Sequence, residues 1–444
     1  MNSSDQLYVT GGARLEGTVS PSGSKNGALP LLAATLLAEG ECLLYHVPLI
    51  EDVLTMIELL RALGMKVDLR PQGTVVIRNE GIKTHIAPED IVKRMRASFW
   101  VAGPLLARLG KAEVPLPGGC QLGSRPVAYI IDAFRPLGVV ADVEHGSMLA
   151  CAPYGLTGGT IYLDARYRSP GATFSAVMAA VMAKGETIIE NACSEPEVVD
   201  FCAFLNEMGA RIGGMGTSTL HVEGVAHLTA CAHRTLPDRL EAGTFLLAGA
   251  ITQGDVTVRG IDHDHLDFFL TKLEETGAQV TRGTDHIRVI SPARPRATEV
   301  TTEPFPMFPT DLQPPMGAYL CLAEGTSVIT ETIYDGRLTY FDELSRMGAQ
   351  AELRGQTAIV KGVPRLTAAS VQAQNIRAGA AMVIAALAAE GTSQISNRHF
   401  ILRGYQEFEA KLASLGARIS LSDESHHHTA EGDPHARRES GAGH

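Results

Sequence analysis

The chain reads as an α/β protein with two cores, and three observations carry that reading. A helix-then-strand unit recurs six times, apolar Ala/Leu-rich segments alternate with short strand-like runs, and many of the 45 glycines among 444 residues fall at matching places in the copies. With 45% hydrophobic and 20% charged residues, the chain can bury sizeable cores, which excludes a disordered, fibrous or disulfide-miniprotein class. One Trp and 5% aromatics make a poor surface for stacking bases.

In chain order the copies read LLAEGECLLYHV with LLRALGMKVDL, LLARLGKAEVPL with FRPLGVVADV, VMAKGETIIENA with LNEMGARIGG, AITQGDVTVRGI with LEETGAQVTR, CLAEGTSVITET with LSRMGAQAEL, and ALAAEGTSQISN with LASLGARISL. The first glycine of each falls at 40, 110, 185, 254, 325 and 391, and the second at 64, 138, 209, 277, 348 and 416. Each copy is expected to hold two helices and two strands. The Gly after each helix is expected to be a left-handed C-cap, where only a residue without Cβ is unstrained. The Val or Ile that follows marks the switch to a strand. One unit cannot bury its apolar face alone. Six units allow a long solenoid or two groups of three, and grouping by threes gives two cores of ordinary domain size.

The net charge is −11. Residues 422–444 hold five acids against Arg437 and Arg438, leaving −8 for the body, so nucleic acid and anionic membranes are poor partners. The segment MNSSDQLYVTGG lacks a basic region followed by an apolar one, and no apolar run reaches membrane-spanning length, so a soluble, cytoplasmic protein is expected. Seven cysteines at 42, 120, 151, 193, 202, 231 and 321 form no CxxC pair, which suits a reducing compartment and argues against structural zinc.

A polar or ionic residue opens each apolar helix 14 to 16 residues before the first glycine: Lys25 with Asn26, Arg96, Ser169 near Gly171, Arg239 near Glu241, Asp311, and Arg377. Helix N-termini favour anions, so the dipole does not explain cations there. Any one of them alone leaves a solvated helix-start charge open as the lesser reading, but as a set they call for an anionic ligand. Cys120 sits in PLPGGCQLGSRPV, a Gly-rich polar stretch with Arg125 five residues on, a setting that favours thiolate over a buried small hydrophobe. Gly23-Ser24-Lys25 lacks Walker A spacing, and no GxGxxG opens the chain. His426-His427-His428 lies in a tail whose Ser, Gly and acidic composition predicts disorder over 422–444.

At SGSKN, PGGC, RPV, PDR-E-GTF, FPTD, ELSRMGA and RGY, the sequence resembles the UDP-N-acetylglucosamine enolpyruvyl transferases, in order from about Leu7 to Leu421. The resemblance implies a two-domain inside-out α/β barrel of six βαβαββ units, one domain comprising 25–235 and the other 1–24 with 236–421, and an active site in the cleft between them. It implies transfer of the enolpyruvyl group of phosphoenolpyruvate to a sugar 3′-hydroxyl through a tetrahedral ketal, without metal or organic cofactor. By the same resemblance Lys25, Asn26, Arg125, Arg337, Arg377 and Arg403 hold phosphoenolpyruvate. Asn26, Arg96, Arg125, Pro126, Val127, Ser169, Gly171, Asp311 and Ile333 line the sugar-nucleotide side. Asp311 also takes the position of a general base, Lys25 is catalytic, and Cys120 matches a loop thiol that adds to phosphoenolpyruvate and is alkylated by fosfomycin.

The chain departs from that pattern in four places. Asn375 stands where the family has an acidic proton relay, and Ala128 and Ile130 replace a polar Asp and His after Arg125-Pro126-Val127. DARYRSPGATF is two residues longer than the family segment, so Arg166 and Arg168 compete for one cationic role, and Glu51 in PLIED stands where a Lys can occur. Three of the four touch the nucleotide side, which keeps other acceptors open: a nucleoside 5′-phosphate such as UMP, less readily shikimate 3-phosphate, or no reaction in a sugar-nucleotide-binding paralogue.

Overall fold

The computed structural model describes residues 5–116, 128–164, 168–291 and 293–421. Cys120, Arg125, Pro126, Val127, Arg166 and the tail 422–444 lie outside the described residues.

Six helices made apolar by Ala, Leu, Val and Met form the interior. Lys25–Ala34, Ala102–Leu109 and Pro170–Ala180 belong to one lobe, and Arg239–Ile251, Gln313–Leu320 and Ile376–Ala388 to the other. All 13 residues of Arg239–Ile251 are buried, the state expected of a helix that is apolar nearly all round. The sheets lie outside these helices, an inversion of the usual barrel, and their apolar residues alternate inward. One hydrophobic core gathers residues from Ala28 to Leu228, and a second gathers Leu7 to Val19 with Leu240 to Ala417.

Among the described residues, five of the six sheets have four strands. In one, Ala232–Arg234 runs parallel to Gly40–Tyr45, which pairs antiparallel with Thr74–Asn79, which pairs antiparallel with Lys66–Arg70. The expected two strands per copy therefore undercount: five sheets add a hairpin partner, the sixth takes Gln6–Thr10 from far along the chain instead, and most add a short parallel strand too polar to stand out in sequence.

The second glycine of every copy has φ between +86° and +112° just past a helix, as expected of a left-handed cap. The first glycine does not repeat this. Only Gly110 caps a helix in that conformation. Gly40 follows a 3-10 turn, Thr35–Leu37, and opens its strand, because Glu39 first bridges to Thr229. At Gly254 the need is space: a Cβ would stand 2.1 Å from the Leu15 carbonyl oxygen. Arg96 also departs from the pattern, opening a 3-10 helix, Arg96–Val101, ahead of the inner helix.

The chain passes between the cores twice. Strand Glu16–Val19 pairs with Asp255–Arg259 of the second lobe, whereas helix Lys25–Ala34 belongs to the first. Strand Ala232–Arg234 pairs in the first lobe, whereas helix Arg239–Ile251 belongs to the second. The two crossings are bonded to each other: Ser24 N–H donates to the Leu236 carbonyl at 2.8 Å and Asp238 N–H to the Ser22 carbonyl at 2.8 Å. Lys411 Nζ donates to Ser22 Oγ at 2.5 Å and pairs with Glu241 Oε1 at 2.6 Å, while Glu241 Oε2 accepts Ser22 N–H at 2.9 Å. Among the described residues, no helix is long and apolar enough to cross a membrane.

Candidate active site

The site begins at the crossings. Ser24 caps helix Lys25–Ala34 by accepting Gly27 N–H at 3.2 Å, which sets Lys25 and half-buried Asn26 in its first turn. Lys25 N–H donates to Asp238 Oδ2 at 3.1 Å, and its ammonium meets Asp52 Oδ2 at 2.7 Å. The other oxygen of Asp52 takes Arg403 Nε of the opposite lobe at 2.9 Å. Burial alone would raise the Asp52 carboxyl, but Lys25 and Arg403 together bring it below its ordinary value.

The second lobe repeats this arrangement. Arg337 Nη2 lies 2.7 Å from Asp311 Oδ1, and Arg377 Nε 3.0 Å from Asp311 Oδ2. Burial opposes the charge on Asp311, yet the two guanidiniums hold its carboxyl far below the usual range. Both arginines are buried, and each lies over an aromatic ring, Tyr334 at 4.7 Å and Tyr405 at 5.4 Å. Asn375 caps the helix that carries Arg377, accepting the N–H of Arg377 at 3.1 Å and of Ala378 at 3.0 Å. Glu331, buried, accepts from Thr310 Oγ1 and from Ile333 N–H at 2.9 Å, while Arg337 Nη1 donates to Thr310 Oγ1 at 2.5 Å. Asp238 adjoins both groups, accepting from Lys25 and adding its field at Arg377.

Four predicted cations, Lys25, Arg337, Arg377 and Arg403, thus stand in two trios, each around one aspartate. Asp311 was visible in FPTD, whereas Asp52 was missed: an acid in the first turn of a helix is an ordinary dipole partner. Only its two ion pairs, one reaching 351 residues along the chain, mark it out. Arg239 is not free for a ligand, since it pairs with Glu197 at 3.1 Å and Glu195 at 3.2 Å.

On the other side of the first lobe, Ser169 caps helix Pro170–Ala180 by accepting Ala172 N–H at 3.3 Å. Gly171 lies against Trp100 of the 3-10 helix that Arg96 opens, so Arg96, Ser169 and Gly171 share one corner. A recess of about 280 Å³ there is lined by Tyr129, Asp132, Tyr162, Leu163, Asp164 and Ser169. Arg168, with φ +37°, precedes Ser169 directly. Asp262, His263 and Asp264 bring potential metal-ligand atoms within 4.8 Å of one another, but Asp262 accepts Asp264 N–H at 3.0 Å, which accounts for this turn without an ion.

The family profile described as EPSP synthase (3-phosphoshikimate 1-carboxyvinyltransferase) matches residues 9–412. A UDP-N-acetylglucosamine 1-carboxyvinyltransferase of Symbiobacterium thermophilum is 45% identical over 420 residues, covering 94% of this chain and 95% of the relative. One from Carboxydothermus hydrogenoformans is 46% identical over 417 residues, covering 94% and 99%. Among solved structures, the enolpyruvyl transferase NikO from Streptomyces tendae superposes with a TM-score of 0.85 at 24% identity, covering 94% of this chain and 98% of that one. EPSP synthase from Acinetobacter baumannii gives 0.72 at 17% identity, covering 94% and 100%. These two share the fold. The sequence relatives and the family profile place the chain in the EPSP synthase family, among its UDP-N-acetylglucosamine 1-carboxyvinyltransferases.

Proposed function

We propose that the protein transfers the enolpyruvyl group of phosphoenolpyruvate to the 3′-hydroxyl of UDP-N-acetylglucosamine, releasing phosphate and supplying a precursor of peptidoglycan, and so serving cell shape and division. The observation that carries this is the pair of aspartate-centred trios, which gathers four cations beside the crossings. Phosphoenolpyruvate offers a phosphate and a carboxylate, and bidentate guanidiniums suit both.

In this reading Lys25, Arg337, Arg377 and Arg403, with Asn26 and Arg125, bind phosphoenolpyruvate. The acceptor hydroxyl adds to its C2 while C3 takes a proton, giving the tetrahedral ketal. Loss of phosphate with the C3 proton then leaves the enol ether. Fixed cations stabilise charge on the departing phosphate. Asp311 takes the hydroxyl proton. Paired with two guanidiniums it is a weak base, and it becomes a better one when the anionic substrate draws those guanidiniums away. Arg96, Pro126, Val127, Ser169, Gly171 and Ile333 form the nucleotide side. The lobes 25–235 and 1–24 with 236–421 act as domains that close over the substrates, Cys120 serves as the loop thiol open to fosfomycin, and the reaction takes place in the cytoplasm.

Asn375, Ala128 and Ile130 favour one alternative, the same chemistry on another nucleotide such as UMP. The test is phosphate release from phosphoenolpyruvate with UDP-N-acetylglucosamine, with UMP and with no acceptor. Release with the sugar nucleotide supports the proposal; release with UMP alone refutes it in favour of the alternative, and none with either points to a binding paralogue. A Cys120→Asp variant is expected to keep turnover and resist fosfomycin.

A further inference from the structure

We propose that Asp52 is a positioning residue for phosphoenolpyruvate, holding Lys25 and Arg403 at one point from opposite lobes so that this pair of cations is assembled only when the lobes meet. The inference rests on the reading of Lys25 and Arg403 given above. Each Asp52 oxygen serves a different cation, at 2.7 Å and 2.9 Å, and its side chain is 5% exposed. Asp52 does not cap its own helix, Glu51–Ala62, whose N-cap residue Ile50 makes no side-chain capping bond. Two like charges drawn this close need the shared carboxylate; without it they repel and separate.

The surroundings brace the contact. Leu49 N–H donates to Gln406 Oε1 at 2.8 Å, and Arg403 Nη2 reaches the Arg94 carbonyl at 3.5 Å, so three contacts tie residues 403–406 to two segments of the first lobe. An ordinary helix-start acid would need none of them. Asp52 touches no reacting atom in this scheme; it acts through the cations it places.

The test compares wild type with Asp52→Asn and Asp52→Glu. Calorimetry with phosphoenolpyruvate is expected to show at least tenfold weaker binding for Asp52→Asn and partial recovery for Asp52→Glu. In turnover assays KM for phosphoenolpyruvate rises tenfold or more while KM for the acceptor stays within twofold. Asp52→Asn with Arg403→Ala is expected to be no worse than Arg403→Ala alone within threefold, since both act through one contact. Unchanged or tighter phosphoenolpyruvate binding by Asp52→Asn, equal rises in both KM values, or additive losses overturn the proposal. Should Asp52→Asn not fold, Asp52→Glu decides: binding equal to wild type or abolished overturns it, and an intermediate affinity supports it. Wild type that binds phosphoenolpyruvate but turns over neither nucleotide refutes the proposed reaction while leaving the binding comparison decisive. Wild type that binds none overturns both.

Discussion

Asn375 Oδ1 accepts the backbone N–H of Arg377 at 3.1 Å, so the side chain that caps the last inner helix also fixes the turn presenting the guanidinium to Asp311. Asp and Asn cap helices about equally well, so Asn375→Asp is expected to keep the fold and, by restoring a titratable carboxyl, to raise turnover about tenfold. Asn375→Ala should lose about 1 kcal/mol in denaturant unfolding. Lower turnover in Asn375→Asp would mean that the amide has its own role.

Asp311→Asn strands two buried guanidiniums. Turnover is expected to fall by ~10²-fold or more. Stability should fall by about 2 kcal/mol, below the range for a fully buried pair because Asp311 is a quarter exposed. Its folded-state pKa is depressed, so its contribution is present above the unfolded value of 3.8 and lost only as pH falls through the lower folded one. The unfolding free-energy difference between wild type and variant should therefore stay flat above about pH 7, where Glu195, whose carboxyl Asp311 helps to raise to about 7, has also ionised, and shrink in strong acid as Asp311 itself is protonated.

Glu241 shifts the opposite way. Burial lifts its carboxyl to about 7 against the pull of Lys411, while the unfolded chain releases the proton near 4.5. The folded state then binds more protons between those values. Wild type is expected to lose stability relative to Glu241→Gln as pH rises from about 4.5 to 7, by up to ~1.4 kcal/mol per pH unit. Urea unfolding of both at several pH values measures this, and parallel curves would refute it.

Gly171→Ala would place a methyl 2.9 Å from Trp100 Nε1. The ring or the helix must shift, at a cost of about 1–2 kcal/mol. Trp100 is the chain's one tryptophan, so its emission reports the shift directly. KM for the nucleotide should rise more than KM for phosphoenolpyruvate.

The six-fold repeat was legible because helix periodicity and a left-handed glycine leave a local mark. Strands such as Thr160–Tyr162 were not, since three residues are too few to carry a periodicity. The first glycines misled because a short turn and a bridge residue separate helix from strand, as at Thr35 to Glu39. In the site, cations at helix starts could be read from position, but what answers their charge could not. Asp52 lies 27 residues from Lys25 and 351 from Arg403, and only folding brings the three together.

Gln6–Thr10, the first strand among the described residues, is held between two of the last, with Leu7 opposite Ile395 and Tyr8 opposite Ser420. On the ribosome its partners emerge almost four hundred residues later. At roughly 5–20 residues per second, the strand waits about twenty seconds to more than a minute, while the lobe built from Ala28 to Leu228 is already complete in sequence. That lobe can fold during translation, whereas the other closes only after Thr392–Ser396 and Arg418–Ser420 have emerged. Until then Leu7 and Val9, fully buried in the finished fold, have nothing of their own sheet to cover them.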